Sequence, residues 1–481
     1  MHIELIAELA YILIVILVCL RIVYDVSASS KTLAYLLFVV FVPVIGMIVY
    51  FAIGNNYRKN KLYSKKLTSN KRLYEAMKAR LTESSTSIIK AQESKGLNGN
   101  SELAYFLLNG RSPLTENNEV KLLHNGEETF PEICKALENA AHHIHMEYYI
   151  YEDDNIGNKI KEILIRKAKE GIQVRFIYDD FGSHSIGKKL TTELKENGVE
   201  VYPFYEITFF HLANRINYRD HRKIVIVDGI YSFVGGINVS DKYINPSPDN
   251  VYWRDTHMMI HGLATRHLQY IFLCDWNFCS SQKVKIEPQF FPVVNEKTGD
   301  TLVQIAASGP DSDEPTIMYS IMQAVALAKK EILITSPYFI PGESMMDTLR
   351  VAALSGIKVQ LLAPEKSDSW LVNAAAYSYY GDLLDAGVEI YLYTKGFVHA
   401  KTLVVDGVLS MVGTANMDSR SFELNFEVNA VVYNEAFSQE LRNYFYDDLK
   451  TSLRINKQQW DARSLWKILP EKIARLLSSL L

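Results

Sequence analysis

The chain has 481 residues, long enough for more than one domain, and its 48% hydrophobic and 22% charged composition is that of a folded protein rather than a disordered one. Its 51 Lys and Arg nearly balance its 55 Asp and Glu, and a net charge of −4 argues against a general nucleic-acid binder. Four cysteines (Cys19, Cys134, Cys274, Cys279) form neither a zinc pattern nor a disulfide frame, which fits a reducing compartment.

The first predicted elements belong to a membrane. Leu5–Val23 and Thr32–Ile53 are apolar runs of about 20 residues, enough to cross a bilayer as helices. Glu8 and Arg21 sit toward the ends of the first run, where a charge reaches the headgroups. A cleavable signal peptide fits poorly, because a basic leader and a small-residue cleavage site are missing and a second run follows at once. The link Tyr24–Lys31 is too short to hold a domain, so residues 1–57 are expected to form a two-span transmembrane hairpin. Next come Arg58, Lys59, Lys61, Lys65, Lys66, Lys71 and Arg72, and the positive-inside rule places them, with everything downstream, in the cytoplasm. Residues 58–112 are polar and helix-prone, and read as a linker or packing arm.

From residue 113 the chain alternates strands and helices, and it does so twice. Ile144–Tyr149 is answered by Ile334–Phe339, Gly171–Val174 by Gly356–Val359, and Gly198–Tyr202 by Gly387–Tyr391. Helical periodicity shows in Asn158–Glu170 and again in Glu343–Leu354. The pattern predicts two α/β sandwich repeats, each with a largely parallel sheet, over 113–305 and 306–481, with the break near Pro310–Glu314. The last stretch, Arg463–Leu481, is amphipathic, and suits either a membrane surface or a helix docked on the protein.

Each repeat carries one copy of a motif. In the first, His221, Lys223 and Asp228 make H-x-K-x4-D, followed by Gly235-Gly236 and Asn238. In the second, His399, Lys401 and Asp406 are followed by Gly413-Thr414 and Asn416, every element displaced by 178 positions. A single match arises at roughly 1 in 10⁴ positions by composition, so two copies with tails in register are not chance. HRKIVIVDG and HAKTLVVDG read as buried strands closed by turns, with each histidine and lysine on one face. Asp228 and Asp406 lie at the turns, where holding the loop is as good a role as chemistry. Two imidazoles, two ammonium groups and two amides suit a tetrahedral phosphoryl group: cations and amides neutralise its oxygens, and the histidines act as nucleophile and general acid.

The doubled motif with its G-[GST]-x-N tail resembles the phospholipase D superfamily, and the whole chain is similar to its bacterial cardiolipin synthases. Pro43, Gly46, Tyr50 and Gly54 stand in the order expected of that family's second span. The resemblance implies two histidines facing each other across a pseudo-twofold interface, a covalent phosphohistidine, and no metal or other cofactor. It also implies phosphatidyl transfer from one phosphatidylglycerol to another, giving cardiolipin and glycerol, at the bilayer and without nucleic acid. Through WRDT and NFEVN it makes Asp255 and Glu427 the partners of His221 and His399 respectively, and it adds Ser421 to the site. His142, His143 and His145 look like metal ligands, but the second repeat lacks counterparts. A membrane-anchored hydrolase using water as acceptor, or a non-catalytic scaffold, are the alternatives. The first repeat also carries about 11 extra residues before His221, and Phe204, Phe209, Phe210, Leu212 and Arg215 there suggest a loop that dips into the bilayer surface.

Overall fold

Why the motif strands end where they do is visible at their turns. Asp228 and Gly229 have φ of 56° and 67°, and Asp406 and Gly407 have 53° and 67°. Left-handed backbone of this kind closes a tight hairpin, and it is open to Gly and, at lower cost than for most residues, to Asp. Lys223–Val227 therefore turns straight back into Tyr231–Gly235, and Thr402–Val405 into Leu409–Gly413. The computed structural model describes residues 2–25, 29–53, 82–93, 95–205, 218–246, 249, 251–285, 287–292 and 297–476.

These hairpins belong to one continuous 15-stranded sheet. At its middle Thr115–His124 lies antiparallel to Thr301–Ser308. Outward on the first side follow Thr256–Gly262, Tyr231–Gly235, Lys223–Val227, His143–Tyr148, Gln173–Tyr178 and Glu200–Pro203. On the other side the same order recurs: Glu427–Tyr433, Leu409–Gly413, Thr402–Val405, Glu331–Thr335, Lys358–Pro364 and Glu389–Tyr393, with Ser452–Arg454 added at the edge. The pseudo-twofold axis thus passes between the two central strands.

Three expectations change. The sheet in each half is not largely parallel: only the last three strands of the repeated order are, each joined to the next by a helical crossover, while the motif strand turns straight back into its neighbour and the remaining pairs are also antiparallel. The break does not fall at 305/306, which lies inside Thr301–Ser308; that strand is the counterpart of Thr115–His124 and opens the second half. The strand register also slips by two. Asp228 N donates to His143 O and Asp406 N to Glu331 O, so Ile144 answers Ile332 rather than Ile334. A two-residue slip keeps every side chain on its face, and so leaves the alternation unchanged.

Helices 125–138, 155–169 and 187–196 cover one face of the first half, around Phe130, Ile160, Leu164 and Phe176. In the second half helices 316–327, 342–354 and 370–385 do the same, joined by the arm 82–109, whose Ile89, Leu103 and Leu107 enter that core. Between the halves lies a shared core in which Thr265–Cys279 contributes Phe272 and Trp276 and Glu435–Leu449 contributes Phe437 and Phe445. The terminal helix Leu465–Leu476 docks along Trp370–Asp385: Ala474 is buried, and Arg475 donates to Ser378 O (3.2 Å) and pairs with Asp382 (2.9 Å).

The N-terminal region folds as helices His2–Asp25, Ser29–Phe41 and Pro43–Ile53. Val18, Ile22, Val39 and Tyr50 form a small core between them, and Tyr50 donates to the Asp25 carboxylate (3.0 Å), which also pairs with Arg21 (2.7 Å). Among the described residues no helix is long and apolar enough to cross a membrane. From Glu8 onward the first helix carries Glu8, Arg21 and Asp25, and the second apolar run is divided before Pro43 into helices of 13 and 11 residues. The outer faces of these helices are nonetheless apolar, with Leu9, Ile12, Leu13, Ile16, Leu37 and Ile45 exposed.

Candidate active site

The two motifs meet because each is stitched, backbone to backbone, to the opposite half. His221 N donates to Phe426 O (3.0 Å), and Phe426 N donates to Arg219 O (2.8 Å). Symmetrically, Gly396–Val398 pairs in parallel with Tyr252–Arg254, and His399 N donates to Arg254 O (2.7 Å). The segments so joined lead directly into Glu427 and Asp255.

The carboxylates therefore cross over. His221 Nδ1 lies 2.9 Å from Glu427 Oε2, and His399 Nδ1 lies 2.7 Å from Asp255 Oδ2. The expected pairing of Asp255 with His221 and Glu427 with His399 is corrected, since the interface brings each histidine to the strand of the other repeat. Both carboxylates are fully buried and held from behind. Asp255 Oδ1 accepts from Thr256 N (2.7 Å), while Glu427 Oε2 accepts from Thr414 Oγ1 (2.5 Å) and Oε1 from Asn425 Nδ2 (3.2 Å). Gly236 and Thr414 are counterparts with different duties. A Cβ at Gly236 would come within 2.1 Å of Asp255 Oδ1, so only glycine leaves room there.

Each lysine turns back on its own motif, Lys223 Nζ donating to His221 O (2.8 Å) and Lys401 Nζ to His399 O (2.5 Å). Burial draws the Lys223 ammonium down to about 7 and that of Lys401 to about 8. Both histidines are pushed down as well, by burial first and then by the lysines, His399 to about 3. Burial lifts Glu427 to about 7. For Asp255 burial pulls upward too, but His399 and Lys401 outweigh it and hold the carboxylate below its usual range. At neutral pH both imidazoles are thus neutral, each with Nδ1 committed to a carboxylate and Nε2 left for a reacting atom.

Other expected residues separate. Ser421 is fully buried in the site wall: its Oγ accepts from Asn416 N (3.2 Å), and its N donates to Asp418 Oδ1 (2.6 Å). Asn416 Oδ1 is buried with no hydrogen-bond partner, whereas Asn238 accepts from Ile150 N (3.1 Å) and donates to Tyr243 OH (2.8 Å). Asp228 and Asp406 stand at the far ends of their strands, roughly 17 Å along the chain from the lysines at 3.3 Å per residue. Asp228 accepts from the backbone N of Ala141, His142 and His143, and Asp406 from Lys329, Lys330 and Glu331, all within 2.9 Å. They take the loop-holding alternative, and their place among the catalytic groups is corrected.

His143 and His145 are core residues, bonded to Gln269 (3.1 and 2.7 Å). Among the described residues no three His, Cys, Asp or Glu side chains gather as a metal site. Phe204 is buried against Phe426 and Phe278, which removes it from the expected membrane loop; Phe209, Phe210, Leu212 and Arg215 lie outside the described residues. Sequence reasoning missed the aromatic walls. Tyr149 meets His221 edge-on (4.8 Å), and Trp253 and Phe397 flank His399 (5.3 and 5.9 Å). Their signal was adjacency alone: Trp253 begins the quoted WRDT, and Phe397 lies two residues before the second histidine.

The sequence matches the family model described as cardiolipin synthase, PLD-like domain, over residues 133–272 and again over 321–449. A second model, phospholipase D-nuclease N-terminal, matches residues 10–55. The chain is 39% identical to a cardiolipin synthase of Alkalihalophilus pseudofirmus over 98% of this chain and 93% of that one. It is 39% identical to the major cardiolipin synthase of Bacillus subtilis, covering 98% of each, and 42% identical to cardiolipin synthase 2 of Bacillus anthracis, covering 94% and 87%. Among solved structures, the phosphatidylserine synthase of Haemophilus influenzae shares the fold with a TM-score of 0.60 at 13% identity, over 79% of this chain and all of that one.

Proposed function

This chain belongs to the cardiolipin synthase family of the phospholipase D superfamily, and on that premise we propose how its two half-sites divide the chemistry. It is a phosphatidyltransferase acting on phospholipids; the donor and the acceptor in this reading are both phosphatidylglycerol. The observation that carries it is the crossed pair of histidine–carboxylate contacts with both lysines in one buried cluster.

A phosphodiester entering between the motifs brings the negative charge that the buried lysines lack, and so raises the proton affinity of lysines and histidines together. One histidine, neutral at Nε2, attacks phosphorus and forms a P–N bond. The other, now an imidazolium, gives its Nε2 proton to the departing glycerol oxygen as the P–O bond breaks. A second phosphatidylglycerol replaces glycerol. Its hydroxyl returns a proton to the same imidazole and its oxygen attacks phosphorus, breaking the P–N bond and releasing cardiolipin. Lys223, Lys401 and the amide of Asn416 stabilise the five-coordinate phosphorus. One phosphodiester replaces another, so the exchange is nearly balanced without a nucleotide.

Residues 1–57 form the membrane hairpin in this reading, the apolar outer faces of the three N-terminal helices meeting lipid, and the two repeats work at the cytoplasmic surface. Incubating the purified protein with phosphatidylglycerol alone should give cardiolipin and glycerol in equal amounts by mass spectrometry. Phosphatidic acid in place of cardiolipin would mean that water is the acceptor.

A further inference from the structure

The terminal helix Leu465–Leu476 is built inside out for a helix docked on a protein. The residues it turns toward Trp370–Asp385 are polar or small: Glu471 is 8% exposed and Ala474 1%, and Arg475 makes the contacts to Ser378 and Asp382. Its large apolar residues face away, with Leu465 79%, Trp466 87%, Leu469 56% and Ile473 52% exposed. At 3.6 residues per turn these four fall within one sector of about 100°, and Glu471, Ala474 and Arg475 fall on the opposite side. Ion pairs fix this orientation: Arg463 grips Glu471 through both guanidinium nitrogens (2.7 and 3.0 Å), and Arg475 pairs with Asp382. Rotating the helix to bury its apolar side would break all of these contacts. Lys472, also exposed, borders the apolar sector. Trp370, the first residue of the supporting helix, is itself 72% exposed.

We propose that this helix is a second membrane contact, lying in the plane of an anionic bilayer surface with Trp466, Leu469 and Ile473 in the acyl boundary and Lys472 at the phosphates. Charge favours lipid over a protein partner: the stripe is bordered by lysine and not by acids, and the surface an enzyme of this reading meets is made of phosphatidylglycerol, an anion. An apolar stripe that is fixed outward by ion pairs is held ready rather than left over. Two attachments, one at each end of the chain, would limit how far the catalytic repeats tip away from the headgroups.

The proposal rests on the membrane placement given above, and the test separates the two. Full-length protein is reconstituted in phosphatidylglycerol-containing vesicles whose acyl chains carry bromine, and Trp466 emission is taken as the difference between wild type and Trp466→Phe. Quenching of that component by brominated lipid, with protection from aqueous iodide, is the expected result. Quenching by iodide alone, with the protein still sedimenting with vesicles, overturns the helix proposal and leaves the hairpin standing. Failure to sediment at all overturns the membrane placement itself. Protection from both quenchers, together with a dimer that Leu469→Ser/Ile473→Ser converts to a monomer, would show a second copy on the stripe and also overturn the proposal. Because both substituted residues face outward, that double variant should keep the melting temperature of the globular part and its rate on a short-chain soluble phosphatidylglycerol. On bilayer substrate it should lose about tenfold or more.

Discussion

Lys223 and Lys401 titrate near neutrality, about 7 and about 8, because burial disfavours their charge. The clamp for a phosphate is cationic below those values and fades above them, so kcat/KM, which reports the free enzyme, should fall as pH rises from about 7 to 9. Stability moves the other way. The folded pKa lies below the unfolded value of 10.5, so between them the unfolded chain holds more protons and stability rises with pH. Comparing Lys223→Met with wild type by thermal melts at pH 7.5 and 9.5 isolates this contribution: the variant should be inactive, more stable at pH 7.5, and less dependent on pH. A variant no more stable at pH 7.5 would contradict it. The crossing of the carboxylates has its own signature. Asp255→Asn should slow carbethoxylation of His399 by diethyl pyrocarbonate, mapped by mass spectrometry, and leave His221 unchanged; the reverse pattern would restore same-repeat pairing. The histidines and lysines were legible because their spacing is set by one strand. Which acid serves which histidine was not, because Asp255 and Glu427 each follow the motif of their own repeat and nearness in sequence says nothing about an interface.

Among the elements, the motif hairpins hang on two aspartates. Each carboxylate ties three backbone N–H groups of the preceding loop to the turn. Charge-assisted bonds of this kind contribute about 1.5–3 kcal/mol, and leaving three donors without the acceptor should make Asp406→Ala less stable by about 2–4 kcal/mol by urea denaturation. At a temperature where the variant stays folded, its kcat should be within about threefold of wild type. A loss of several orders of magnitude with unchanged stability would return the aspartate to the chemistry. Strand positions could be read from β-branched runs ending in Asp-Gly, and the turn itself from the dipeptide. Strand direction could not, because alternation is the same in parallel and antiparallel neighbours. The break between repeats was misplaced for a related reason: Thr301–Ser308 has no motif of its own, and only its hydrogen bonds to Glu427–Tyr433 declare its side.

For the molecule as a whole, the proposed topology makes a labelling prediction. A cysteine at Ser29, where the second helix begins, should react with an impermeant thiol reagent in intact cells, while one at the exposed Glu102 should react only after lysis. The opposite result would invert the protein in the membrane. The doubling of the molecule was plain from the motif interval; the merger of both halves into one sheet was not. The strands that join them, Thr115–His124 and Thr301–Ser308, carry none of the repeated residues by which the halves were recognised.

Crossed pairing also fixes when, during synthesis, the protein first becomes able to attack its substrate. His221 leaves the ribosome 206 residues before Glu427. At translation rates of about 5–20 residues per second the first motif waits roughly 10–40 s for its carboxylate. In the proposed placement the N-terminal helices already meet phospholipid during that interval. Under the proposed mechanism, a site whose first histidine meets its carboxylate only on a strand late in the second repeat keeps an unfinished chain from forming a phosphoryl adduct it has no means to resolve.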